Sequence, residues 1–244
     1  MKKIIILTAL LTLFFVGCNK KKVEKSSYTV GVDPNKIYPF GIKDADNAKA
    51  SGFEHDLLLE IAKRADLKID IIDCSFLQII SGVTEGKLDI GIGLISITNE
   101  RKKNLQFSEP YMKSQVVILG NKDNKLMNEE KIIYGLTKGT YFKHIIENKK
   151  NIEIVEDIDT EVVIQKLIAK EIDYAIVDKG IGHSHIEESP MLYEKELLSE
   201  DHIGVAFSKN LPECFINKIN GVILEMKKDG YLDELKTKYK IDIK

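Results

Sequence analysis

The chain has almost no net charge. Its 244 residues include 36 Lys and Arg against 38 Asp and Glu, so the formal net charge is only −2. A protein that binds nucleic acid needs a basic surface field, and this balance provides none. We therefore expect no nucleic-acid partner. The 43% hydrophobic and 30% charged residues are typical of a soluble globular protein with one or two domains.

The apolar run at the start of the chain is too short to be a permanent membrane span. It covers thirteen residues, Ile4 to Val16, whereas a transmembrane helix needs about 20. A charged start, Met1-Lys2-Lys3, precedes it. A charged start followed by a short hydrophobic core is typical of a signal peptide, and we predict one over residues 1–17.

The end of this run resembles a bacterial lipobox, because Val16-Gly17 precedes Cys18. Phe15 stands three residues before the cysteine, where leucine is usual. We predict that Cys18 is acylated and that residues 18–27 form a polar tether to the membrane. The alternative is an ordinary secretory peptide in which the cysteine is incidental.

Cysteine is scarce, with three in the whole chain. With Cys18 assigned to a lipid, Cys74 and Cys214 remain, and conditions outside the cytoplasm would allow them to pair. Nothing in the sequence brings them within bonding distance, and both have apolar neighbours. We favour two buried free thiols, although the sequence leaves the pairing open.

Clusters of metal ligands are missing as well. His183 and His185 are separated by one residue, but a structural metal site needs about four ligands. The sequence offers no further ligand cluster beside them. We expect neither a metal ion nor a cofactor.

A strand pattern that ends in hydroxyl residues and an arginine lies between residues 91 and 111. Alternating glycine and apolar residues predict a strand with an open glycine face, and Thr98 suits the N-cap of a short helix. Ser96 and Arg101 would then lie near one spot at the carboxyl end of a strand, where open α/β sheets bind ligands. A guanidinium, a hydroxyl and free backbone N–H groups together bind a carboxylate. The alternative is that Arg101 is a solvated surface charge.

Together with Phe107-Ser108-x-Pro110-Tyr111, this stretch resembles the central signature of the family 3 extracytoplasmic solute-binding proteins, the amino-acid receptors of ABC importers. Six further blocks follow the order of that family, and the resemblance covers nearly all of the chain after residue 28. The blocks are VGVDPN (30–35), GFEHDL (52–57), SFLQIISGVTEGKLD (75–89), KGTYF (138–142), EIDYAIVD (171–178) and INGVILEMKKDGYLDELKTKY (219–239).

The resemblance implies an α/β, two-lobed periplasmic-binding-protein-like fold of type II, with two α/β domains joined by a two-strand hinge. The first lobe would comprise residues 28–116 and 205–244, and the second lobe residues 117–204. It further implies a monomer outside the cytoplasm that binds a free amino acid and works with the permease subunits of an ABC importer. The predicted acylation of Cys18 would anchor this receptor to a bacterial membrane.

The resemblance also assigns groups to an α-amino acid held between the lobes. Its carboxylate would be bound by Arg101 and Ser96 of the first lobe, and by Thr140 and the backbone N–H of Tyr141 from the second. Its ammonium group would be bound by Asp178 and by the carbonyl of Leu94. Relatives usually have Gly, Ser or Asn at the position of Leu94.

The side chain of the ligand would face Asp33 and an aromatic wall. Phe76 would form one side of that wall, and either Tyr38 or Ile37 would fill the other, because one extra residue disturbs the usual spacing there. A carboxylate beside an aromatic face suits a cationic or hydrogen-bond-donating side chain. We therefore predict a basic or polar amino acid as the ligand and disfavour an acidic one.

Two other functions are compatible with this fold. Some relatives are secreted cyclohexadienyl dehydratases, whose chemistry needs an acid–base group beside the bound carboxylate. Asp33 and Asp178 are the candidates for such a group, and both already have binding roles, so we expect no enzyme. A ligand-sensing domain of a signalling receptor is disfavoured because the chain ends at Lys244 without an output segment.

Overall fold

The computed structural model describes residues 25–33, 39–43, 50–124 and 131–241, so the predictions for Cys18, Ile37 and Tyr38 concern residues outside the description. The strands are β1 (Tyr28–Val32), β2 (Ile42–Lys43), β3 (Ala50–Ser51), β4 (Ile69–Asp73), β5 (Ile90–Gly91), β6 (Leu105–Phe107), β7 (Met112–Asn121), β8 (Ile132–Thr137), β9 (Ile152–Asp157), β10 (Tyr174–Asp178), β11 (Leu192–Ile203) and β12 (Ala206–Ser208). The helices are α1 (Phe53–Arg64), α2 (Phe76–Thr84), α3 (Asn99–Lys102), α4 (Phe142–Ile146), α5 (Thr160–Ile168), α6 (Lys179–Glu188), α7 (Glu213–Lys228) and α8 (Tyr231–Lys238).

These elements form two five-stranded sheets. The first sheet has the strand order β4-β1-β5-β12-β6, with β1 parallel to β4 and β5. The second sheet has the order β11-β7-β10-β8-β9, with β8 parallel to β9 and β10. Two mixed sheets with associated helices confirm the predicted α/β class.

The C-terminal helices pack back on the first sheet. The ring of Phe215 on α7 lies 4.5 Å from that of Tyr28 on β1 and 6.1 Å from that of Phe207 on β12, measured between centroids. Helices α7 and α8 also contact α1. The second sheet has a separate apolar cluster, in which Phe142 and Ile146 of α4 pack beside buried residues of β7, β8 and β10.

Two long antiparallel strands join the halves. The chain leaves the first sheet after β6 and enters β7, and it returns from β11 to β12. Strands β7 and β11 pair from Met112 opposite Ile203 to Asn121 opposite Leu192. At the first-sheet end, the Tyr111 N–H donates to the Ile203 carbonyl at 3.0 Å, and Ser96 forms an isolated bridge with Ile203.

Capping bonds fix the starts of two helices, and the one at Thr98 confirms the predicted N-cap. Ser75 and Gln78 form a reciprocal capping box at the start of α2. The Arg101 N–H donates to Thr98 Oγ1 at 3.1 Å and so fixes the first turn of α3. This cap fixes the backbone position from which the Arg101 side chain extends.

The cysteines differ from the expectation of two free thiols. Cys74 is a half-buried free thiol, so it does not pair with Cys214. Cys214 is disulfide-bonded, and the expectation of a free thiol there is wrong.

In the part of the chain that the structure describes, no helix has the length and apolar character needed to cross a membrane.

A buried polar network supports the end of β5. Glu54, only 4% exposed, accepts hydrogen bonds from the Leu94 N–H at 2.6 Å and from the Tyr111 hydroxyl. Burial, together with the Glu54 carboxylate, raises the pKa of Tyr111 well above its ordinary value, so its hydroxyl is a permanent donor. A buried carboxylate that loses such a donor is costly, because water does not replace it.

Tyr111→Phe removes this donor and creates no cavity. We expect the free energy of unfolding to fall by about 1.5–3 kcal/mol, the usual value of a hydrogen bond to a charged group. Urea denaturation measures it. The control is Tyr239→Phe, which loses a 2.7 Å bond to the partly exposed Asp56 and should cost less than about 1 kcal/mol. Equal losses in the two variants would contradict a special role for the buried network.

Candidate functional site

A cavity lies between the two sheets and contains about 440 Å³ of empty space, part of it open to solvent. The predicted site residues that the structure describes all line it. They are Asp33, Phe76, Leu94, Ser96 and Arg101 from the first-sheet side, and Thr140, Tyr141 and Asp178 from the second-sheet side, together with Thr137, Phe142, Thr160 and Val177.

Strand ends bring these side chains together. Asp33 directly follows β1, and the turn after β5 carries Leu94 and Ser96. On the other side, Thr137 ends β8 and Asp178 ends β10. The carboxyl ends of parallel strands in both sheets therefore open onto one cavity, as is usual for ligand sites in α/β sheets.

Arg101 contributes a guanidinium without a carboxylate partner. Its Nη1 donates to the Ser96 carbonyl at 2.9 Å, and its Nη2 donates to the Gly139 carbonyl at 3.2 Å. No ion pair joins it to an Asp or Glu of the described residues. Burial lowers its pKa to about 10, while nearby Tyr141, Asp201 and Asp178 oppose the shift. Arg101 is thus cationic at neutral pH, and three of its five N–H donors have no acceptor in the described ranges.

The Phe76 ring forms the wall beside this cation. Phe76 is 4% exposed at the start of α2, and the Arg101 guanidinium carbon lies 5.4 Å from its ring centre. This is a cation–π distance. Phe76 therefore lines the cavity as predicted and also contacts Arg101.

The hydroxyl protons of Ser96 and Thr140 are already used. Ser96 Oγ donates to Asp201 at 3.0 Å, and Thr140 Oγ1 donates to the Thr137 carbonyl at 2.7 Å. The backbone N–H groups of Ser96 and Tyr141 have no acceptor among the described residues. In this arrangement, the donors available to an anion are the Arg101 guanidinium and backbone N–H groups.

Leu94 has a left-handed backbone conformation, with φ near 50°, and is buried. Such a conformation costs a branched side chain about 1–2 kcal/mol, and Gly or Asn adopts it more readily. The hydrogen bond from its N–H to Glu54 holds it there.

Asp178 is the N-cap residue of α6, but its side chain makes no capping hydrogen bond. It is 9% exposed and accepts a bond from Ser114 Oγ at 3.3 Å. The capping interpretation therefore does not account for its side chain. Asp33 lines the same cavity. The pKa of the Cys74 thiol is raised by burial, then by the charge of Asp73 and least by the charge of Asp33.

The predicted site did not include Thr137, Phe142, Thr160 or Val177, which line the cavity, or Asp201, which is hydrogen-bonded to lining residues. The Thr160 hydroxyl lies 2.8 Å from that of Thr137. Asp201 lies behind the cavity and accepts bonds from Ser96 and from the Tyr141 hydroxyl. Asp201 belongs to β11, which the sequence did not predict, so no local signal pointed to it.

The two histidines of the GHSH segment are engaged elsewhere. His183 Nε2 lies 2.8 Å from Glu194, and His185 Nε2 lies 3.4 Å from Glu161. Within the described ranges, no group of three or more His, Cys, Asp or Glu residues is arranged to hold a metal ion.

Contacts also cross the cavity entrance. Gly139, with φ near 86°, is in a conformation that suits glycine. A Cβ added there would lie 3.1 Å from Leu77 Cδ1 on α2. The two sides thus approach closely at Gly139, where the Arg101 bond also crosses.

Comparison with known proteins gives a consistent result. The family described as bacterial extracellular solute-binding proteins, family 3, matches residues 28–242. A "Probable histidine-binding protein" of Campylobacter jejuni is 29% identical, and the alignment covers 97% of each chain.

Two solved structures are similar as well. An ancestral arginine-binding protein bound to arginine has a TM-score of 0.79 and 27% identity, covering 88% of this chain and 98% of that one. The ancestral amino acid-binding protein AncCDT-1, described as a precursor of cyclohexadienyl dehydratase, has a TM-score of 0.75 and 27% identity, with coverages of 88% and 95%.

Proposed function

This chain belongs to the bacterial extracellular solute-binding proteins of family 3, and we propose that it binds a free L-α-amino acid in the cavity between its two sheets. In this proposal it then presents the amino acid to the permease subunits of an ABC importer. The observation that carries the proposal is the Arg101 guanidinium, which is cationic and forms no ion pair with a carboxylate of the described residues, in a cavity that Asp178 also lines.

The charges suit a zwitterion. An uncompensated buried cation is unfavourable, and a bound carboxylate would supply the missing partner. Arg101 would bind that carboxylate through its remaining N–H donors, aided by the backbone N–H groups of Ser96 and Tyr141. Asp178 and the Leu94 carbonyl would bind the ammonium group.

The binding groups come from both sides of the cavity, and this supports closure around the ligand. We propose that residues 28–116 with 205–244, and residues 117–204, act as two lobes. A ligand that contacts both lobes stabilises the closed state because it binds that state better than the open one. The bond from Arg101 to the Gly139 carbonyl already links the lobes at the cavity.

Arg101→Ala tests the carboxylate site. Removing one partner of a desolvated charge pair costs about 3–5 kcal/mol, so we expect affinity for the amino acid to fall at least about a hundredfold. The fold should persist, because the variant loses a buried charge and no ion pair. Calorimetric titration measures the affinity. Lys102→Ala, at the exposed neighbouring position, is the control and should bind normally. Near-native affinity of Arg101→Ala would place the carboxylate elsewhere.

The balance of charge at the cavity favours a basic ligand. Asp33 and Asp178 contribute two carboxylates against the single guanidinium of Arg101. An amino acid with a cationic side chain carries one net positive charge and offsets the excess, whereas an acidic one adds to it. The names of the histidine-binding and arginine-binding relatives support the same class. We propose a basic or polar amino acid.

A thermal-shift screen of the twenty amino acids tests this class, because a ligand that binds the native state raises the unfolding midpoint. We expect arginine, lysine, histidine or glutamine to give the largest shifts. In Asp33→Asn, affinity for a basic ligand should fall about tenfold or more, the value of a lost charge-assisted bond, while glutamine should be less affected. Shifts confined to acidic or aliphatic amino acids would show that Asp33 does not contact the ligand.

An enzymatic function is the second candidate, and the similarity to the dehydratase precursor is what favours it. Dehydration needs an acid–base group near the bound carboxylate, and Asp33 and Asp178 are the carboxylates that line the cavity. Recovery of the bound ligand distinguishes the two functions. An unchanged amino acid after prolonged incubation supports a receptor, and conversion to a dehydrated product supports an enzyme.

Members of this family are extracytoplasmic, and we further propose that Cys18 carries a lipid anchor. The charged start, the short apolar core and Gly17 before the cysteine support this proposal. Acylation and a disulfide exclude one another at one sulfur atom.

Cys18→Ser should release a protein that is otherwise membrane-associated, because two or more acyl chains anchor stably and the variant carries none. Fractionation with labelled palmitate measures this, and mass spectrometry of Cys18 peptides identifies the adduct. Cys74→Ser is the control and should remain at the membrane. A soluble, unlabelled wild type, or a disulfide at Cys18, would contradict the anchor.

A further inference from the structure

Asp201 lies where the chain returns from the second sheet to the first. It is two residues from the end of β11 and pairs with Ser114 of β7, the residue whose hydroxyl donates to Asp178. A carboxylate at this position is adjacent to both halves of the molecule.

Its hydrogen-bond donors come from opposite sides of the cavity. Ser96, from the first-sheet side, donates at 3.0 Å. Tyr141, from the second-sheet side, donates its hydroxyl to the same carboxylate oxygen, and Ser199 of β11 contributes a longer bond of 3.4 Å. One carboxylate on a connecting strand thus joins the two sides.

These bonds form part of a closed ring. Ser96 accepts from Arg101 through its carbonyl, Arg101 donates onward to the Gly139 carbonyl, and Gly139 lies two residues before Tyr141. The Tyr141 hydroxyl completes the ring at Asp201. The ring crosses between the sides twice, so it is complete only when they are close together.

The charge of Asp201 also acts on Arg101 without using its donors. It opposes the effect of burial on the guanidinium pKa, yet no ion pair joins the two residues. A carboxylate in direct contact would occupy the N–H groups that a ligand needs. Because Asp201 does not contact the guanidinium directly, its charge stabilises the cation and leaves those N–H groups available.

The direction of the tyrosine bond is unambiguous. Burial and the hydrogen bond to Asp201 raise the pKa of Tyr141 well above its ordinary value. The phenol is therefore protonated over the whole physiological range and acts as the donor. The bond holds the Tyr141 backbone, whose N–H has no acceptor among the described residues, beside the cavity.

We propose that Asp201 is a positioning residue that couples closure of the two sides to assembly of the carboxylate-binding groups. It ties Ser96 and Tyr141 together and so holds Arg101 and the Tyr141 N–H in one arrangement. The inference rests on the proposed function, because the arrangement is advantageous only if a carboxylate is bound there.

The test compares Tyr141→Phe, Asp201→Asn and the double variant. Tyr141→Phe keeps the aromatic ring and the backbone N–H and removes the hydroxyl. Asp201→Asn keeps the size of the side chain and removes its charge. Tyr193→Phe is the control, because it removes a phenol hydroxyl from the strand that carries Asp201 and leaves the ring of hydrogen bonds intact. Affinity and dissociation rate are measured with L-arginine and L-histidine as probes.

We expect each single variant to bind about tenfold more weakly, as for loss of a hydrogen bond to a charged group, mainly through faster dissociation. The double variant should lose less affinity than the sum of the two single losses, because both changes act on the shared contact between Tyr141 and Asp201. The control should equal the wild type. Unchanged affinity, or losses that add, would overturn the proposal.

Small-angle scattering of the ligand-free proteins separates this inference from the proposed function. If Asp201 ties the two sides together, both single variants should have a larger radius of gyration than the wild type and the control. If neither probe binds the wild type, the proposed ligand class fails, and scattering alone decides the role of Asp201. Equal radii would then overturn it.

Discussion

The arrangement of the cavity depends on a buried guanidinium with no carboxylate beside it. Arg101 is held by backbone carbonyls from opposite sides, Ser96 and Gly139, which orient the side chain without neutralising it. The cap at Thr98 fixes the start of that side chain, and the Phe76 ring supports its face. A cation in such a position has lost its water and is in direct contact with no carboxylate of the described residues, so an anionic ligand gains more here than at the surface.

The acidic groups around this cation act at different depths. Asp33 and Asp178 line the cavity itself. Asp201 lies behind it, where its charge supports Arg101 without occupying the guanidinium. Glu54 is deeper still and holds the Leu94 N–H, which keeps the backbone left-handed at the end of β5. Glu54, Asp178 and Asp201 each accept hydrogen bonds from hydroxyl or amide donors of their own, which offset the cost of burying these carboxylates.

Much of the fold was predictable from local patterns. The caps at Ser75 and Thr98, the strand ends at Asp33 and Asp178, and the two C-terminal helices all depend on residues within a few positions of one another. Strand β11 was not predictable. It is an edge strand with many charged residues and half-exposed side chains, and backbone pairing with β7 holds it in place. Such pairing does not require apolar residues at regular intervals, so the sequence of this strand has no periodic apolar pattern.

The sequence by itself determined which residue types reach the cavity, because strand ends and helix caps are local features. It did not determine what each group does there. Ser96 meets Asp201 across 105 positions, and Tyr141 meets it across 60. These bonds decide that the Ser96 hydroxyl faces a carboxylate and that the sides are joined. Only the tertiary structure brings such distant residues within hydrogen-bond range, because the packing of the two halves sets their separation and nearby sequence does not.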